Sequence, residues 1–91
     1  MAGKIRTLIE SKEYAVAFNK IGDAKRLDDA LIGLTEAIAI NPADWEIVPG
    51  FKTIRLARSA AIKGMPRLKI WFSVLNPDEI LLRYIEISKE K

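Results

Sequence analysis

The stretch "RLKIWFSVL", residues 67–75, alternates without a break: Leu68, Ile70, Phe72 and Val74 fall on one side, Arg67, Lys69, Trp71 and Ser73 on the other. A period of two marks a β-strand with one buried face, because successive side chains of an extended chain point to opposite sides. One face of this strand is apolar throughout. The other carries two cations and an indole. The apolar side needs a cover, and the basic side must meet solvent or a ligand.

The flanks extend the pattern. Asn76-Pro77-Asp78 reads as a turn, and "EILLRYIEIS", residues 79–88, as a final strand. Simple alternation there puts Leu81, Arg83, Ile85 and Ile87 on one face, and Leu82, Tyr84, Glu86 and Ser88 on the other. On the N-terminal side, "KGMP", residues 63–66, supplies a turn after a strand over residues 53–61. In that strand Ile54 and Leu56 are expected to face the cover, leaving Arg55 outward with Ala57 and Ser59. Arg58 then points opposite to Arg55, unless a bulge re-aims it or it emerges at the sheet margin. "ADWEIVPG", residues 43–50, reads as a loop ending in the turn pair Pro49-Gly50.

Upstream the period changes to 3.6. Ser11 is placed to cap a helix over residues 12–21, with Tyr14, Ala17, Phe18 and Ile21 along one stripe. Gly22 ends it and Asp23 can cap the next. Leu27, Ala30, Leu31, Leu34 and Ile38 form a second, longer stripe, stopped by Asn41-Pro42. "IRTLIES", residues 5–11, reads as a short strand. The expected fold is α+β, ordered β-α-α-β-β-β over a single domain of residues 1–91. Its sheet is antiparallel, with a helical hairpin on one face.

Composition narrows the chemistry. The 91 residues contain no Cys and no His, so thiolate metal sites, disulfides and His-based triads are excluded. Neither a metal nor a cofactor is expected. No apolar run reaches the length of a membrane span, and charges at Lys4, Arg6 and Glu10 interrupt any signal-peptide core. A cytoplasmic protein with no membrane partner is expected. The net charge of +3 is unevenly spread. Residues 50–72 hold six Lys or Arg (Lys52, Arg55, Arg58, Lys63, Arg67 and Lys69) and no acid. Cations beside Trp71 and Tyr84 on an uncovered sheet face suit a single-stranded nucleic acid, whose phosphates the cations neutralise and whose bases stack on the rings. A merely solvated face is the alternative. Leu8, Val16, Ile32 and Ile40 lie off the main stripes. They either offer patches to a protein partner or show that the stripes are wider.

These elements and motifs resemble the RelE/ParE superfamily of bacterial toxins, particularly its HigB-like and phage-derived branch. "LDDALIGLTEAIAINPADWEIVPG" is similar to that family's long second helix and Trp/Val-Pro-Gly loop. "IRLAR" is similar to its Leu-Arg-x-x-Arg strand, "GMPRLKIWF" to its Gly-x-x-Arg strand, and "LLRYIEISKEK" to its last strand and charged end. The resemblance implies a toxin of a type II toxin–antitoxin pair, bound by a cognate antitoxin. Its RelE-like members act as mRNA interferases on the ribosome, cleaving RNA through the 2′-OH without a metal and so inhibiting translation. Its ParE-like members inhibit DNA gyrase instead, and a catalytically inactive relative is a further alternative. For the first activity the resemblance places Arg55, Arg58 and Arg67 where that family carries its phosphate-stabilising arginines, with Lys63 and Lys69 as additions. Taken with the reading of the residues, Arg58, Arg67, Tyr84 and Glu86 are the expected catalytic residues, and Lys52, Arg55, Lys63, Lys69, Trp71 and Lys89 the expected RNA contacts. Where active members carry a Tyr, His or Lys pair near the end of the last strand, this chain has Glu86, Ile87 and Ser88. Glu86 then stands as the base, with Tyr84 or Lys89 as the acid.

Overall fold

A computed structural model describes residues 5–21, 26–60, 63 and 66–88. Strand β1 (Thr7–Glu10) leads into helices α1 (Lys12–Ile21) and α2 (Leu27–Ile40). A 3-10 turn (Pro42–Asp44) and the two-residue β2 (Glu46–Ile47) follow, then β3 (Arg55–Arg58), β4 (Arg67–Asn76) and β5 (Glu79–Ser88). The strands form one sheet in the order β1-β5-β4-β3-β2. The fold is thus α+β, with two helices and five strands. The sheet is mixed rather than antiparallel throughout, because β1 runs parallel to β5 from Thr7 opposite Glu79 to Glu10 opposite Leu82. Two helices separate β1 from the rest of the sheet. That crossover is long enough to return the chain in the parallel sense, which no short hairpin can do. Residues 43–50 are not all loop either, since Glu46 and Ile47 pair with Leu56 and Arg55.

Local chemistry sets the helix ends. The Ser11 hydroxyl accepts the Tyr14 N–H at 3.0 Å and caps α1. The same hydroxyl donates to the Arg83 carbonyl at 3.1 Å, and the Ser11 N–H donates to the Leu82 carbonyl at 2.9 Å. The cap therefore also fastens α1 to β5. At the start of α2 the N-cap position is Arg26, left-handed at φ 60° and without a side-chain cap bond. The expected break at Gly22 and cap at Asp23 lie outside the described residues. Asp28 and Asp29 occupy the first turn of α2, where carboxylates oppose the helix dipole, and Arg26 Nε meets Asp29 at 3.3 Å. Asn41-Pro42 ends α2 as the sequence predicts. The Phe51 N–H closes a turn onto the Val48 carbonyl at 3.0 Å, with Gly50 at φ 88°, a conformation that glycine adopts without steric cost.

One core lies between the helices and the sheet. Tyr14 and Ala17 of α1, and Leu27, Ala30, Leu34 and Ile38 of α2, meet Ala57, Leu68, Ile70, Phe72, Ile80, Leu82 and Ile85. Each large side chain buried here is worth about 1.5–3 kcal/mol. Phe18, Ile21 and Leu31 pack against this cluster, so both helical stripes are as expected. Burial pushes the Tyr14 phenol up to about 12, with the nearby charge of Glu10 adding to the effect.

Three strand assignments change. Val74 is 41% exposed, so the core row of β4 ends at Phe72. In β5, Trp71 pairs with Tyr84 but Phe72 pairs with Leu82, which leaves Arg83 as an extra, bulged residue. The bulge switches the phase of the strand. Ile80 and Leu82 face the core before it and Ile85 after it, so Leu82 replaces Leu81 in the buried set. The third change concerns β3, which is shorter than residues 53–61 and opposite in phase. Ala57 is buried opposite Ile70, while Leu56 pairs with Trp71 on the other face.

Candidate nucleic-acid interface

Cross-strand register builds the site. Directly opposed residues of an antiparallel pair lie on the same side, with Cβ atoms about 4.5–5.5 Å apart. On the face turned away from the core, Arg58, Lys69 and Glu86 therefore form one row across β3, β4 and β5. The adjacent row contains Glu46, Leu56, Trp71 and Tyr84. The Trp71 and Tyr84 rings lie 5.6 Å apart between centroids, with their planes tilted by 57°, a favourable aromatic arrangement. Tyr84 is 45% exposed and Arg58 is exposed, while Lys69, Trp71 and Glu86 are half-buried. Arg67, two residues before Lys69 on β4, shares their phase.

The two arginines of β3 separate completely. Arg58 pairs with Lys69 on the outer face, with no bulge in β3. β2 pairs only with Leu56 and Arg55, and Arg58, past that pairing at the sheet margin, borders a surface hollow with Glu46 and Ile47. Arg55, expected to face outward and contact RNA, instead pairs with Phe72 on the core side. Its guanidinium donates to the Trp45 carbonyl, fastening the segment before β2 to the sheet. Trp45 packs against the core, with its indole N–H buried without a partner.

The remaining expected contacts are dispersed. Lys52 is exposed between β2 and β3, and Lys63 is exposed in the turn between β3 and β4. Lys89 lies outside the described residues. Ser59 has a structural role: its hydroxyl accepts the Leu68 N–H at 2.7 Å and its N–H donates to the Leu68 carbonyl at 2.9 Å. Ser73 is buried, with its hydroxyl unpartnered. Of the four residues off the helical stripes, Leu8 packs on the core, whereas Val16, Ile32 and Ile40 are exposed.

One feature next to the site was missed in the sequence. Beyond the end of β1, α1 runs along β5, and Lys12, Glu13, Val16, Ala17 and Lys20 join Tyr84 around a surface hollow of about 390 Å³. The available signal was the spacing of Lys12, Val16 and Lys20 at i, i+4 and i+8, which places them in one line along the helix.

Chemically, the two rows combine fixed cations, a carboxylate that can take a proton, a phenol that can give one, and an aromatic surface. Among the described residues no group of acidic side chains is arranged to hold a metal ion. No described helix is long and apolar enough to cross a membrane. No protein-family model, curated protein or solved structure matches the chain.

Proposed function

We propose that this protein is a RelE-like toxin of a type II toxin–antitoxin pair, and that its outer sheet face binds and cleaves single-stranded mRNA. The observation that carries the reading is the row Arg58–Lys69–Glu86 lying directly beside the Trp71–Tyr84 pair. Two cations and a carboxylate in register, next to an aromatic surface, match what RNA cleavage through its own 2′-OH requires.

In this reading a base stacks on Trp71 and Tyr84, which brings its phosphate over Arg58 and Lys69. The Glu86 carboxylate takes the 2′-OH proton. O2′ bonds to phosphorus as the bond from phosphorus to O5′ breaks, and the Tyr84 phenol supplies the proton to the departing O5′. The products are a 2′,3′-cyclic phosphate and a 5′-hydroxyl end. Arg58 and Arg67 stabilise the charge that builds on the phosphoryl oxygens. The order of elements, one strand, two helices and then the remaining strands, supports the reading, while the parallel β1 departs from the antiparallel sheet expected for it.

Inducing the protein in cells and mapping mRNA 5′ ends tests the proposal. New 5′-hydroxyl ends in translated messages are expected, and Arg58→Ala should abolish them. Intact mRNA with continuing translation overturns the reading. Intact mRNA with inhibited gyrase replaces it with the ParE-type activity.

A further inference from the structure

We infer that the hollow between α1 and Tyr84 is a second RNA subsite, which takes the nucleotides next to the one stacked on Trp71. The inference rests on the RNA-binding reading of the sheet face and extends it to a surface that reading does not use.

Three observations support it. First, the hollow is continuous with the aromatic pair, since Tyr84 lines it and also contacts Trp71. A strand leaving the Trp71–Tyr84 surface on the β5 side passes directly over α1. Second, the lining has the character of a nucleotide site. Its floor is Val16, Ala17 and the Tyr84 ring, and exposed lysines stand at its two ends. Val16 is 47% exposed, an apolar side chain set between two cations rather than buried in the core. Third, Lys12 and Lys20 are eight residues apart on one helix, so they are separated by about 12 Å along its axis. That is too far for both to serve one phosphate, and suits two phosphates of a chain. Glu13 on the rim is the one acid of the lining among the described residues, and its carboxylate can accept a hydrogen bond from the exocyclic amine of a base.

Alternative occupants differ in what they would need. A free small anion would be held by converging cations, which the separation of Lys12 and Lys20 does not provide. A protein segment would use the apolar floor without requiring both lysines.

The test uses the whole protein with 2′-O-methyl oligoadenylates, which cannot be cleaved, of four and eight nucleotides. The wild type should bind the octamer more tightly than the tetramer. Lys12→Gln/Lys20→Gln should remove that gain and make the slope of log K against log salt shallower by about 1.4, from roughly 0.7 per phosphate contact. Binding of the tetramer should not change. Lys12→Arg/Lys20→Arg should keep the slope of the wild type. Both lysines are exposed, and a thermal melt confirms that the variants fold. An octamer slope unchanged in the Gln variant, with wild-type binding intact, overturns the subsite and leaves the sheet-face reading standing. Failure of the wild type to bind either oligomer overturns both. Unchanged RNA binding with lost toxicity in cells assigns the hollow to a protein partner and overturns the subsite.

Discussion

Arg55 and Arg58 are three residues apart and chemically identical, yet the register of β3 gives them opposite roles. Replacing each with Ala should therefore produce opposite results. Arg55 lies on the core side, half-buried, with its guanidinium on the Trp45 carbonyl. A hydrogen bond to a charged group is worth about 1.5–3 kcal/mol, and its loss also leaves a carbonyl without its donor. In a domain of this size each kcal/mol moves Tm by about 4–8 °C, so Arg55→Ala should lower Tm by roughly 6 °C at the least. Arg58 is exposed on the outer face, so Arg58→Ala should change stability by no more than about 0.5 kcal/mol. Its cost should appear in binding instead, as a salt slope for single-stranded RNA shallower by about 0.7. Thermal melts and fluorescence titrations at several salt concentrations measure both quantities on the same samples. If Arg58→Ala melts as low as Arg55→Ala, or if Arg55→Ala loses RNA affinity while its Tm holds, the phase of β3 is inverted and the site as built is wrong.

Three further outcomes are expected. Glu86→Gln should slow RNA cleavage by about 10²–10⁴ under single-turnover conditions without weakening RNA binding, because it removes a proton acceptor and keeps the side chain's size. A cleavage rate within a few-fold of wild type removes Glu86 from the mechanism. Ser11→Ala should cost about 1 kcal/mol or somewhat more in denaturant unfolding, since the hydroxyl both caps α1 and bonds the Arg83 carbonyl, and Ser11→Asp should restore the cap alone. Tyr14 ionises at about 12 in the folded chain and near 10 when unfolded, so above pH 10 the unfolded state loses its proton first. Its contribution should be fully present below pH 10 and decline towards pH 12, by at most roughly 3 kcal/mol, and Tyr14→Phe should lack this component in a comparison of alkaline unfolding.

Much of the architecture was legible because periodicity is strong where elements are long. The stripe of α1, its Ser11 cap, the stripe of α2 and the core row Leu68, Ile70 and Phe72 all follow from local spacing. So does the outward set of Arg67, Lys69 and Trp71, and so does the placing of Tyr84 and Glu86 on the face opposite Ile85, where they meet Trp71 and Lys69. The facing of Arg58 and of the first half of β5 depends on neighbours. Leu82, rather than Leu81, joins Ile85 in the core because Arg83 bulges after Leu82. In the sequence, "LLRYI" has apolar residues in both phases and gives no indication of where a bulge falls.

The sequence alone thus determined the two helices and the long strands β4 and β5, and that a cluster of cations lies among them, because burial imposes a period on each long segment separately. The tertiary structure decided the phase of the four-residue β3, the parallel entry of β1, the bulge at Arg83 and the approach of α1 to Tyr84. A short strand with apolar and charged residues on both sides has no intrinsic preferred face. Its facing is set by the partner strand, where Ala57 fits opposite Ile70 beneath the helices and turns Arg58 towards Lys69.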